Sequence, residues 1–203
     1  YLASDGQMVY RATELGKSVA LRLIQAGNEV MAALTPMPKG SLRTLGNLLA
    51  QISGAAFHLP EPPAHVLIKA KRDLYERAGV FATLEGIIAH CFLLEGHRDD
   101  CYFATWSAHG VEGHTWEVLD ALSQGDALAF DDLHKKLSRR GVTEEIHAAD
   151  VKELVGRGWA EEGSSVYQIT SDGKQVRAEV EAETERLFFA PWSCLNESEL
   201  EEL

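Results

Sequence analysis

The sequence predicts a mainly α protein with one small β-hairpin near its C-terminal end. Apolar residues recur at helical spacing through most of the first 108 positions. Strand-like runs occur only around Gly163-Ser164-Ser165, and helix-forming stretches flank them on both sides.

In chain order, the first helix is expected from a cap at Ser4 or Asp5 towards Leu34. Its apolar stripe includes Val9, Leu15, Val19, Leu23, Val30 and Leu34. Gly16 and Gly27 weaken the stripe and leave room for two shorter helices. The run Thr35-Pro36-Met37-Pro38-Lys39-Gly40 breaks it, and Ser41 is expected to cap a second helix carrying Leu42, Leu45, Leu48, Leu49 and Ile52. Three prolines between Phe57 and Pro63 exclude helix there. A third helix is expected over Ala64–Arg77, stopped by Gly79, and a long central helix over Phe81–Ala108. Gly110 and Gly113 then bracket a tight turn.

After His114 the pattern changes. Short helices are expected over Thr115–Leu122 and Phe130–Arg140, the second stopped by Gly141. Thr143 is a good cap for a third, Glu144–Gly156. Strands over Trp159–Glu162 and Val166–Thr170 flank the small-residue turn, and a closing helix capped by Thr170 or Ser171 runs to about Phe189. Three helices, a hairpin and a closing helix spell a winged helix-turn-helix. The expected organisation is an N-terminal helical region over 1–80, the central helix over 81–113, the winged helix over 114–195, and an acidic tail over 196–203. Pro191 is expected to end the ordered part and leave the tail loose.

Composition bounds the function. A chain of 203 residues with 45% hydrophobic content can build a sizeable core. No apolar run reaches the 18 or more residues a membrane helix needs, so no membrane partner is expected. The sequence shows no secretory-signal pattern, and an opening Tyr1 leads us to expect a start further upstream. Three cysteines without CxxC spacing fit a reducing compartment, hence a cytoplasmic location. Net charge is −12 and uneven: residues 1–113 hold 10 Lys/Arg against 11 Asp/Glu, residues 114–203 hold 9 against 20. The acidic half is the one that resembles a DNA-binding module, and phosphate repels such a field.

Candidate chemistry concentrates on the central helix. His97, Arg98, Asp99 and Asp100 follow one another in an otherwise apolar stretch, where unpaired charge is expensive. At 3.6 residues per turn His90, Leu94, His97, Cys101 and Ala104 share a face. One reading is a ligand pocket made by His90, His97, Arg98, Asp100, Cys101 and Tyr102. Arg98 would clamp a carboxylate or phosphate, and His97 with Asp100 would form an acid/base or orienting pair. The competing reading is a buried His–Arg–Asp network that pins the helix to its neighbours. A metal version pairs His97 with Cys101 at i, i+4. His90 lies two turns off, about 10.5 Å by helical rise, and His109 and His114 flank the turn. The sequence carries no HExxH and identifies neither a metal nor a cofactor.

For DNA, the helix expected to enter the groove opens with Glu144, Glu145, His147 and Asp150, and only Lys152 and Arg157 are basic. The wing Glu161-Glu162-Gly163-Ser164-Ser165 has no cation. Lys135, Lys136, Arg139 and Arg140 form the one basic cluster and are the candidate DNA contacts, weak ones on these electrostatics.

Residues 93–119 and 155–195 resemble the SalK-like helix-turn-helix family of actinobacteria and related bacteria. Leu94, His97, Arg98 and Asp100 match its L-x-x-H-R-G-D-G-H helix. Gly110, Val111 and Gly113 match its following turn, and Ile169-Thr170, Gly173, Val180-Glu181, Thr184, Leu187 and Ala190-Pro191-Trp192 match its end. Asp99 and Cys101 stand where the family has glycines, and Tyr102 stands where it has a second His. The resemblance implies a MarR-like winged helix in a regulator-type protein.

Together these readings give a regulator-type protein that binds a small, anionic ligand beside His97, Arg98 and Asp100, with weak or no DNA binding. One alternative is an enzyme on the same scaffold, with His97 as acid/base, Asp100 as its orienter and Arg98 as substrate anchor. Another is a structural interaction module whose acidic half meets a basic partner. A homodimer is expected, because the stripes over 1–34 and 171–189 are broader than one copy covers.

Overall fold

The computed structural model of the chain describes residues 2–4, 10–125 and 128–203, with the backbone alone for 2–4, 10–12 and 140. It is mainly helical, with a small antiparallel β wing. Two short antiparallel strands come first, β1 (Leu2–Ser4) and β2 (Tyr10–Ala12). The first helix therefore starts later than a cap at Ser4 would place it; Asp5 and Val9 lie outside the described residues. Helix α1 (Glu14–Ala32) begins at Thr13, whose Oγ1 accepts the Gly16 N–H at 3.0 Å, and Glu14 adds negative charge to the first turn. It runs unbroken through Gly16 and Gly27.

Helix α2 (Lys39–Ala56) is headed by Pro38 rather than Ser41. The Pro38 carbonyl already accepts the Leu42 N–H at 3.1 Å, so Ser41 falls inside the first turn. Helix α3 (Val66–Ala78) ends as expected at Gly79, which is left-handed at φ 72°. The central helix is shorter than expected. A 3-10 segment over Val80–Gly86 comes first, and Leu84, Glu85 and Gly86 all take positive φ (48°, 53° and 79°). Only then does α4 (Ile87–Ser107) begin. Two of those three residues are not glycine, so this conformation has to be held by its surroundings. Gly46 of α2 supplies part of them, since a Cβ there would overlap the Glu85 carbonyl.

Next come α5 (Gly113–Ser123), the two-residue strand β3 (Leu128–Ala129) and α6 (Phe130–Leu137). The expected helix to Arg140 tightens into a 3-10 turn over Ser138–Arg140 before Gly141. Thr143 caps α7 (Glu144–Gly156), as expected, by accepting the Ile146 N–H. The hairpin forms from β4 (Ala160–Gly163) and β5 (Val166–Ile169), with β5 in the middle of the order β3-β5-β4. Helix α8 (Ser171–Phe189) starts where Thr170 Oγ1 accepts the Gly173 N–H. Pro191 does not end the structure. It begins a 3-10 turn within Ala190–Cys194, and Asn196 then caps α9 (Glu197–Glu202) in a reciprocal box with Glu199.

By contacts the chain divides into two compact units, Tyr1–Asp100 with Leu187–Leu203, and Cys101–Arg186. The first has three small cores: Leu48, Leu49, Ile52, Leu94 and Leu195; Ala56, Ile68 and Leu93; and Ala78, Val80 and Ala89. The second has one larger core around Trp116, Leu119, Leu122, Leu133, Leu154 and Val180. Within it a buried hydrogen bond of 2.8 Å joins Thr105 and Thr184. Among the described residues, no single helix is long and apolar enough to cross a membrane. Helix α1 has no fully buried residue, and Leu15, Leu23 and Val30 are 65%, 69% and 67% exposed.

Gly46→Ala should therefore destabilise the protein by about 1–3 kcal/mol. Gly54→Ala on the same helix meets no atom within 4 Å and should stabilise by about 0.5–1 kcal/mol through helix propensity. Denaturant midpoints of the two variants check the contrast; equal effects would remove the close approach at Gly46.

Candidate functional site

The first four N–H groups of a helix have no partner within it. At the head of α3 the preceding His65 makes no side-chain cap, and the first turn has no acidic residue. Asp100 of α4 fills this role from far along the chain. Its Oδ1 accepts the Val66 and Leu67 N–H groups at 3.1 and 2.9 Å, and its Oδ2 accepts those of Leu67 and Ile68 at 3.1 and 3.0 Å. The side chain is 5% exposed, so these are charge-assisted bonds in a largely dry place. Gly96, one turn earlier, makes the approach possible. A Cβ there would stand 3.0 Å from the Ile68 nitrogen. Lys71 then reaches back to Glu95 at 3.0 Å and to Asp99 at 3.9 Å. Burial raises the Asp99 pKa, and the Lys71 charge opposes that.

His97 is fully buried beside His65 and Phe188, with ring centroids at 6.4 and 6.2 Å. Burial lowers its pKa below the ordinary 6.5; a hydrogen bond to the Leu187 backbone opposes this, the charge of His65 adds to it, and that of Asp100 opposes it. His90 stands two turns away, with Nδ1 2.8 Å from Ser53 Oγ and its ring edge-on to Phe81. Burial lowers its pKa as well. Of the six residues expected to bind a ligand, His97, Arg98 and Asp100 thus share one turn of α4, and His90 faces α2. Cys101 and Tyr102 belong to the second unit, where Cys101 is fully buried and the Tyr102 hydroxyl accepts the Trp116 Nε1–H at 2.5 Å. Four backbone contacts occupy the two oxygens expected to orient His97. Among the described residues, no group of three His, Cys, Asp or Glu side chains is placed to hold a metal ion.

The second unit has a polar centre of its own, whose members His114, His147 and Asp150 the sequence reading named without bringing them together. Asp150 of α7 is 3% exposed; its Oδ1 accepts from Thr115 Oγ1 at 2.8 Å and meets His114 Nδ1 at 2.7 Å. The Nδ1 atoms of His134 on α6 and the buried His147 on α7 lie 2.8 Å apart, so one ring donates and the other accepts. This locks α5, α6 and α7 together. Burial lowers the His147 pKa, the charges of His134 and His114 add to that, and those of Asp150 and Glu117 oppose it.

These three helices and the three-stranded wing have the order of a helix-turn-helix module, and a family model described as a helix-turn-helix family matches residues 6–203. The chain belongs to this helix-turn-helix family. Among curated proteins and solved structures, none matches it.

In this helix-turn-helix protein α7 is the helix that would face a groove. Its exposed positions include Glu144, Glu145, Ala148, Ala149, Lys152 and Val155. On the preceding helix and turn Lys135, Lys136 and Arg139 are exposed, and Lys136 Nζ also reaches Gln124 Oε1 at 3.2 Å. The Arg140 side chain lies outside the described ones.

Asp100→Ala should lower stability by about 2–3 kcal/mol, because it leaves three helix-end donors, the buried Ile68 N–H among them, without their acceptor. Calorimetry or denaturant melts check this, and an unchanged midpoint would return Asp100 to a ligand role. His90, His97 and His147 predict a pH dependence. Their folded pKa values lie below 6.5, so on acidification the unfolded chain takes up protons that the native state refuses. Their stabilising effect is complete above about pH 6.5 and is lost as pH falls through the folded values. The melting temperature should be flat from about pH 7 to 8 and fall towards pH 5. A rise over that interval would contradict the neutral, buried assignment.

Proposed function

We propose that the chain is a regulator-type winged-helix protein of the SalK-like, MarR-like kind, cytoplasmic and homodimeric, which binds a small ligand in its first unit and touches DNA only weakly. The observation that carries the reading is a complete helix-turn-helix whose groove-facing helix opens with two glutamates and exposes few cations. Such a surface forms little of the phosphate attraction on which DNA affinity rests. The cations of the α6 region are what remains for DNA, and they sit beside the groove-facing helix rather than on it. The lack of a disulfide among Cys91, Cys101 and Cys194 fits a reducing compartment. Leu15 and Leu23, exposed on α1, fit a second copy. Support for a ligand comes from an open cleft in the first unit, described below.

Fluorescence anisotropy of a labelled duplex over a salt series tests the DNA half. Binding should be weak, with a slope of log K against log salt of about −3, as about three phosphate contacts give. It should vanish in a Lys135→Glu, Lys136→Glu, Arg139→Glu variant. Tight, sequence-selective binding that survives the triple substitution would overturn the reading.

A further inference from the structure

Between α1, α3 and α4, all in the first unit, lies an open cleft of about 460 Å³. Its walls are Ile24 and Met31 of α1, Tyr75 of α3, and Ile88 and Phe92 of α4. Tyr75 and Phe92 stack at 5.1 Å and form a flat aromatic side. Among the described residues no charged side chain lines it. Two residues of α1 set its chemistry. Gly27 is exposed at the cleft, and a Cβ there would meet nothing within 4 Å, so a larger side chain can be placed there without a clash. Beside it, the Asn28 side-chain oxygen is buried with no hydrogen-bond partner among the described residues. Glycine weakens a helix interior, and a buried amide without a partner is costly. The unpartnered amide oxygen becomes intelligible when a ligand fills the cleft and bonds it. A volume of this size, apolar walls and one convergent polar group are the attributes of a small-molecule site.

We infer that this cleft binds a neutral, largely apolar small molecule, most of it aliphatic or aromatic, with one hydrogen-bonding group directed at Asn28. This rests on the ligand-binding half of the proposed function and names the ligand's class. It differs from an anionic ligand at the α4 cluster, because nothing lining the cleft would balance a charge. Volume accounts for the size of the occupant, the lining for its neutrality, and Asn28 for its single polar handle.

The test uses N-phenyl-1-naphthylamine, a neutral apolar amine with one N–H that brightens on leaving water, titrated into the intact chain. A saturable rise is expected. Gly27→Phe extends a side chain into the cleft and should weaken binding about tenfold or more, with the thermal midpoint kept or raised. Asn28→Leu keeps the shape, removes the hydrogen bond and should weaken binding several-fold while raising the midpoint. Absence of saturable binding to the intact chain overturns the inference. Equal binding by Gly27→Phe also overturns it, because the probe then sits elsewhere, although the ligand-binding reading itself survives. A dimer by light scattering that Gly27→Phe converts to a monomer, without probe binding, makes the cleft an interface between copies and overturns it too. The DNA half is decided separately by its salt series.

Discussion

The carboxylate of Asp100 at the head of α3 is the contact on which the first unit depends. The partial positive charge of a helix start and the full negative charge of an aspartate attract most strongly where water is scarce. Once α3 is held there, Ile68 is in position to pack on Leu93 and Ala56, and Lys71 on Glu95. Tyr75 is then in position to stack on Phe92. Without the carboxylate, three N–H groups, that of Ile68 fully buried, would need another acceptor, and α3 has no cap of its own to offer. Gly96 is the steric half of the same device: the aspartate attracts, and the missing side chain lets the backbone come close.

The second unit solves a different problem. Its outer surface is acidic while its interior holds paired imidazoles and one aspartate. The His134–His147 contact needs one ring to remain a hydrogen-bond acceptor, so the packing of α6 against α7 depends on imidazole neutrality. A helix-turn-helix with this centre is strongly specified as a fold yet poorly equipped as a polyanion receptor, a reminder that architecture and activity are separate properties.

Local chemistry was legible in the sequence where the signal and its effect lie within a few residues. Thr143 starts α7, Gly79 and Gly141 stop helices, and Gly163-Ser164-Ser165 turns the hairpin, each because a cap or a left-handed residue acts on its neighbours. The misplaced boundaries have a common cause. The left-handed run Leu84–Gly86 and the two-residue β3 are set by contacts from elsewhere, which carry no periodicity. The cluster on α4 was visible as an anomaly with two readings, a ligand pocket or a network pinning the helix to its neighbours, but the groups that Asp100 meets were not visible. Asp100 acts on backbone N–H groups 32 to 34 positions away, and any residue type supplies a backbone N–H. Gly96, a glycine inside an apolar helix, was the one available hint of a close neighbour.

Strand β3 is short, but its place has a consequence for how the wing behaves. Leu128 and Ala129 pair with Tyr167 and Val166, directly before α6 begins. The hairpin is thereby stitched to the first helix of the helix-turn-helix pair, and β5 gains a neighbour on each side. A two-stranded hairpin alone is marginal in water, whereas a third strand and a covering helix make it cooperative. The wing and α6 should therefore open and close as one foldon, with matched amide-exchange protection, instead of the wing fraying as an independent flap.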